Sequence, residues 1–84
     1  MELINTTTKV DKVALLLLYM SSWEEKTLDF SVRRAWKGID FSILDRLQEN
    51  GLISQSRTAK SLFLTEEGES EARKLVKLLE QMSL

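Results

Sequence analysis

From Lys9 to Met20 the apolar positions Val10, Val13, Ala14, Leu17 and Leu18 recur at the three-and-four spacing of a helix, which turns them toward a core. Leu15, Leu16 and Tyr19 fill much of the remaining circumference, so this helix needs cover on several sides. It is either a central core helix or a helix whose second face forms a dimer seam. Residues 1–8, "MELINTTT", are mostly polar and expected to be flexible, with Thr8 as the N-cap. Ser21 and Ser22 break the period, and "KTLDF" alternates polar with apolar residues as a short strand does. Trp23 lies between them as either a lid on the core or an exposed contact residue.

In "SVRRAWK" the residues Val32, Ala35 and Trp36 stand at i, i+3 and i+4, predicting a short helix capped by Ser31 or Asp29, with Trp36 anchored in the core. Arg33, Arg34 and Lys37 then point elsewhere. Gly38 offers a left-handed stop, and Asp40 caps a second helix, "FSILDRLQEN", with Phe41, Leu44, Leu47 and Ile43 turned inward and Asn50-Gly51 ending it. Ser42, Asp45, Arg46 and Glu49 face outward in that arrangement. Two short helices around a glycine turn are a helix-turn-helix candidate. Leu52-Ile53 and "SLFL" are β-prone runs joined by "SQSRTAK", a hairpin with a projecting basic loop. Thr65 caps a last helix, with Glu66 and Glu67 at its dipole-favoured start. Ala72, Leu75, Leu79 and Met82 line one side of that helix, broadened by Val76 and Leu78.

Composition narrows the function classes. The 84 residues suffice for one domain, and 43% apolar with 30% charged residues suits a folded globular chain. With no cysteine and no histidine, thiolate chemistry, disulfides and the commonest proton-transfer and metal-binding side chain are missing. Asp45 and Glu49, four apart, read as a solvated like-charge pair, so no enzyme activity and no cofactor are expected. The longest apolar run, "VALLLLYM", is far short of the ~20 residues a bilayer needs, so no membrane role and a cytoplasmic location are expected. Net charge is −1, but unevenly spread: residues 31–60 are net +3 and each flank is net −2.

The order helix, short helix, helix, hairpin, helix, with "LDRLQENGLIS" leading into a basic loop and then "LFLTEEG", resembles the winged-helix domains of bacterial regulators of the MarR and PadR kind. More narrowly, "RRAWKGIDFSILDRLQENGLIS" followed by "AKSLFLTEEG" resembles a family of small bacterial proteins of unassigned function. The broader resemblance implies an α+β, mostly α, winged helix-turn-helix fold with a three-helix core, a short hairpin wing and a long C-terminal helix. It also implies a recognition helix over Asp40 to Asn50, a wing over Ser54 to Lys60, and duplex DNA as partner. The residues set against nucleic acid are then Arg33, Arg34, Lys37, Ser42, Arg46, Arg57 and Lys60, with Arg46 reading base edges.

Two carboxylates among the four outward residues of the recognition helix oppose its approach to phosphates. The alternative is a winged-helix scaffold for protein association without DNA. In both readings a homodimer is expected, with Leu15, Leu16, Tyr19, Leu75, Leu78, Leu79 and Met82 at its interface.

Overall fold

The computed structural model describes residues 8–83. Of the flexible segment expected over residues 1–8, residues 1–7 lie outside that range and Thr8 lies within it. Three helices and four strands follow in the order α1 (Lys9–Met20), β1 (Trp23–Lys26), β2 (Ser31–Trp36), α2 (Phe41–Glu49), β3 (Ile53–Ser54), β4 (Ser61–Leu64) and α3 (Glu66–Gln81). The architecture is α+β, with about half the chain helical and a fully antiparallel sheet of order β1-β2-β4-β3.

Local chemistry sets the helix ends. Thr8 caps α1 in a reciprocal box: the Asp11 N–H donates to Thr8 Oγ1 at 3.1 Å and the Thr8 N–H donates to Asp11 Oδ2 at 3.3 Å. Asp40 caps α2 through the Ser42 N–H at 2.8 Å, and Thr65 caps α3 through the Gly68 N–H at 3.0 Å. After α2 the chain turns at Gly51, whose φ of 75° is open to glycine at little cost. Three glutamates, Glu66, Glu67 and Glu69, occupy the first turn of α3.

Gly68 answers a different need. A Cβ there would lie 1.9 Å from the Leu52 carbonyl oxygen, so the start of α3 presses directly on backbone. The same junction is tied by the Thr65 N–H on the Leu52 carbonyl (3.1 Å) and the Thr65 hydroxyl on the Gly51 carbonyl (2.6 Å).

The core lies between the helices and one face of the sheet. Ala35, Leu62, Leu64 and Ile53 point into it from the strands, against Leu15 and Leu18 of α1, Leu44 and Leu47 of α2 and Ala72 of α3. The register pairs Ala35 with Leu62, and Leu64 with both Arg33 and Ile53. Alternate residues therefore point the other way: Val32, Arg34 and Trp36 on β2, Ser61 and Phe63 on β4, and Trp23 and Glu25 on β1. Among the described residues no helix packs on that second face, and Trp36 is 64% exposed on it.

Several expectations are corrected. The predicted helix over Ser31 to Lys37 is strand β2, so the segment before α2 is not the first helix of a helix-turn-helix, and Ser31 and Asp29 cap nothing. Six residues with Val and Trp suit either state, and hydrogen-bonded partners on both sides, β1 and β4, decide for the strand. Trp36 consequently leaves the core for the open face. The strand expected in "KTLDF" begins earlier, at Trp23, and Thr27 to Phe30 form its turn, with Thr27 Oγ1 accepting from the Phe30 N–H at 3.1 Å. Gly38 is not left-handed, since Gly51 is the positive-φ glycine among the described residues. Phe41 is 74% exposed because it opens α2 beyond the edge of the core, whereas Leu44 and Leu47 are buried as expected.

The buried face of α1 is also rotated from the expected one. Asp11, Ala14, Leu15 and Leu18 are inside, leaving Val10, Val13 and Leu17 exposed. An acid on the inner face, with a cation to meet it, turns the helix away from its most regular apolar stripe.

Candidate nucleic-acid interface

The cations proposed from the sequence separate into two groups. Arg33 and Arg34 are adjacent on a strand and so project to opposite faces. Arg33, on the helix side, donates from Nε to Ser22 Oγ at 2.9 Å and stacks over Tyr19, 5.4 Å from the ring centroid. Arg34, on the open face, donates to Glu25 Oε1 at 2.6 Å and to Ser61 Oγ at 3.1 Å, and its guanidinium lies over Phe63. They do not share a supporting helix, because that helix is a strand.

Arg46 departs furthest from expectation. It turns back from α2 toward α1 and forks onto Asp11, with Nε 2.9 Å from Oδ2 and Nη2 2.8 Å from Oδ1. Asp11 is fully buried. The Arg46 hydrogen bonds hold its carboxyl below the usual carboxylate range, against the opposing push of burial and with help from the Thr8 N–H. The same bonds raise the Arg46 guanidinium further above its ordinary value. Ser42 is exposed but engaged: its hydroxyl donates to Asp40 Oδ1 at 2.6 Å, and these Ser42 bonds lower the Asp40 carboxyl.

The second group is Lys37, Arg57 and Lys60, which the β3–β4 connection gathers at one corner. The Lys37 N–H donates to the Lys60 carbonyl at 3.0 Å, and the Lys37 ammonium donates to the Ser56 carbonyl. Arg57 and Lys60 are exposed, and among the described residues none of the three is in an ion pair. Lys37 and Arg57 share a groove with Phe41, Asp45 and Gln48 of α2, and Gln55 reaches across it to Asp45 at 3.4 Å.

Sequence reasoning missed the aromatic pair beside this corner. Trp23 and Trp36 sit diagonally across the β1–β2 hairpin with ring centroids 5.0 Å apart and planes tilted by 44°. The available signal was the alternation Val32, Arg34, Trp36, visible only if the segment is taken as a strand.

The expected dimer residues also divide. Leu15 is core, at 1% exposure, so it belongs to no interface. Leu16, Tyr19, Leu75 and Leu79 are half-buried, and Leu78 and Met82 are exposed. A separate stripe, Val10, Val13, Leu17 and Met20, lies bare along α1, bordered by Ile39. Among the described residues no helix is long and apolar enough to cross a membrane, and no group of three or more acidic side chains stands in position to hold a metal.

One family profile, described as a domain of unknown function (DUF6429), matches residues 6–82. The chain belongs to that family. It is similar to the uncharacterized protein y4hR of Sinorhizobium fredii (strain NBRC 101917 / NGR234), 39% identical over 72 residues, which make up 84% of this chain and 88% of that protein. Membership in DUF6429 fits the small bacterial family inferred from the sequence. No solved structure matches the chain.

Proposed function

We propose that this chain is a small DNA-binding regulator, working in the cytoplasm as a homodimer, in which α2 and the β3–β4 ribbon take the places of recognition helix and wing in a reduced winged-helix domain. The observation that carries this reading is the corner where Lys37, Arg57 and Lys60 converge without an ion-pair partner among the described residues. Phosphate contact needs cations that no carboxylate neutralises, and the Lys37 ammonium is engaged by a neutral carbonyl, that of Ser56. Arg46 is committed to Asp11, and the outward side of α2 carries Phe41, Asp45, Gln48 and Glu49, so base reading by that helix is not part of the proposal. Binding therefore rests on the backbone and depends strongly on salt.

Titrating duplex DNA against the chain at increasing salt is expected to give a log–log slope of about −2.7 per subunit if all three cations touch phosphates. The double variant Arg57→Ser, Lys60→Ser should bring the slope to about −0.9. Absence of salt-sensitive binding at about 50 mM salt removes the reading.

A second reading, protein association without DNA, is favoured by the bare stripe Val10, Val13, Leu17 and Met20, each more than half exposed. Four apolar residues on adjacent turns form one side of a helix–helix contact. A sedimentation profile that stays monomeric at high concentration, and is unchanged by Leu17→Glu, excludes that stripe as an association surface.

A further inference from the structure

The groove beside α2 has two chemically different ends. Phe41, Asp45 and Gln48 stand at i, i+4 and i+7 on one side of the helix and form a wall about 10 Å long. Gln55, Ser56 and Arg57 form the facing wall. Two contacts cross the groove: the Lys37 ammonium donates to the Ser56 carbonyl, and the Gln55 amide donates to Asp45 Oδ1 at 3.4 Å. The cations Lys37 and Arg57 therefore gather beside Ser56, while Asp45 and Gln48, with Gln55 opposite, supply a carboxylate and two amides further along. The volume between the walls, about 760 Å³, is that of a small-molecule site.

Hydrogen bonds position the cationic end. The Lys37 N–H donates to the Lys60 carbonyl at 3.0 Å, and the Ala59 N–H donates to Ser56 Oγ at 3.3 Å, which turns the loop that carries Arg57. Phe41 borders the same groove with its ring 74% exposed and outside the core cluster. Asp40 already caps α2, so neither the core nor the helix start explains an aromatic residue there.

A ligand that satisfies every part of this lining carries an anion for Lys37 and Arg57, a flat ring for Phe41 and N–H donors for Asp45. A nucleoside phosphate holds all three in one molecule. Among the common bases guanine alone sets two N–H donors, N1 and N2, side by side, which matches the two oxygens of a carboxylate. We infer that the groove binds a free guanine nucleotide, with its base on Phe41, its N1–H and N2–H donating to Asp45, and its phosphate between Lys37 and Arg57. The two cross-groove contacts interrupt it as a channel, which fits a single nucleotide better than a continuing strand. Two of the three cations assigned above to the DNA backbone are used, so nucleotide and duplex exclude one another, but the nucleotide needs no DNA in order to bind.

The test is calorimetric titration of the full chain with guanosine 5′-monophosphate, adenosine 5′-monophosphate, inorganic phosphate and the single-stranded trimer d(TGT). The guanine nucleotide should bind at least about tenfold more tightly than the adenine nucleotide, because adenine leaves the carboxylate without its paired donors. Phe41→Ala should weaken it about tenfold, within the range for loss of one base–aromatic stack. Asp45→Asn should remove most of the preference for guanine and leave inorganic phosphate unchanged, whereas Arg57→Ser should weaken nucleotide and phosphate together. Both α2 side chains are exposed, and an unchanged urea midpoint shows that the variants fold.

Equal binding of the two nucleotides, or inorganic phosphate bound as tightly as either, overturns the inference. So does a guanine nucleotide whose affinity ignores both Phe41→Ala and Asp45→Asn, or the absence of any binding. A trimer bound more than tenfold tighter than the mononucleotide overturns the assignment to a free nucleotide. A parallel duplex titration separates the two proposals. Nucleotide binding without duplex binding sustains this inference and removes the DNA reading, and duplex binding without nucleotide binding does the reverse.

Discussion

The two faces of the sheet are built from the same strands and share little else. The inner face presents Ala35, Ile53, Leu62 and Leu64, aliphatic side chains at most 2% exposed, whereas the outer face presents Trp23, Val32, Trp36 and Phe63, all partly or largely open to solvent. Because side chains alternate, a slip of one residue in the β2–β4 pairing would exchange the two sets. Tryptophan would then have to fit where Ala35 now admits the helices. The difference teaches that the larger aromatic groups here are not what holds the domain together; close-packed aliphatic contacts and a few backbone junctions do that.

The comparison is broken most forcefully from the inner side. Gly68→Ala drives a methyl group into the Leu52 carbonyl and should cost about 3 kcal/mol or more, read as a lowered urea midpoint, because backbone atoms on both sides cannot step aside. A shift under about 1 kcal/mol would mean the junction is looser than its contacts imply.

Next comes Asp11→Ala, which removes a buried carboxylate, half of a capping box and the anchor of Arg46, at about 3 kcal/mol. Its pH signature has a definite sign. The folded state holds the Asp11 carboxyl below its unfolded value, so the associated stability is complete above about pH 4 and is lost as pH falls below that through the folded value. Urea midpoints of the parent chain and of Asp11→Ala should therefore converge on acidification.

On the outer face the expected effects are smaller. Trp36→Ala should cost about 1 kcal/mol, the worth of a diagonal aromatic pair, and Lys60→Ser should stay within about 0.5 kcal/mol. A Trp36→Ala variant that loses several kcal/mol would place the outer face in the core's role and erase the contrast.

Much of the helical framework was legible because its signals are local. Thr8, Asp40 and Thr65 cap where their side chains can reach the next turn's N–H groups, and Asn50-Gly51 stops α2 where a left-handed residue is needed. The β3–β4 hairpin followed from two β-prone runs around a polar loop, which is also why Arg57 and Lys60 could be named together, whereas Lys37 was expected on a helix with Arg33 and Arg34. Strand β2 was not legible: its state is decided by partners up to thirty-one residues away, as Leu64 is from Arg33, and its own apolar spacing suits a short helix equally well. The same limit hid Arg46, whose destination is an acid thirty-five residues earlier in the chain.

The order of the strands governs how the chain assembles. The two hairpins are contiguous in sequence, but the central ladder joins residues 33–36 to residues 61–64, so closing the sheet requires the intervening turn of α2 to be in place. Neither ribbon is expected to persist alone, since each would offer a raw inner edge to any neighbouring chain. Assembly should accordingly be all-or-none and slower than that of an equally short helical bundle.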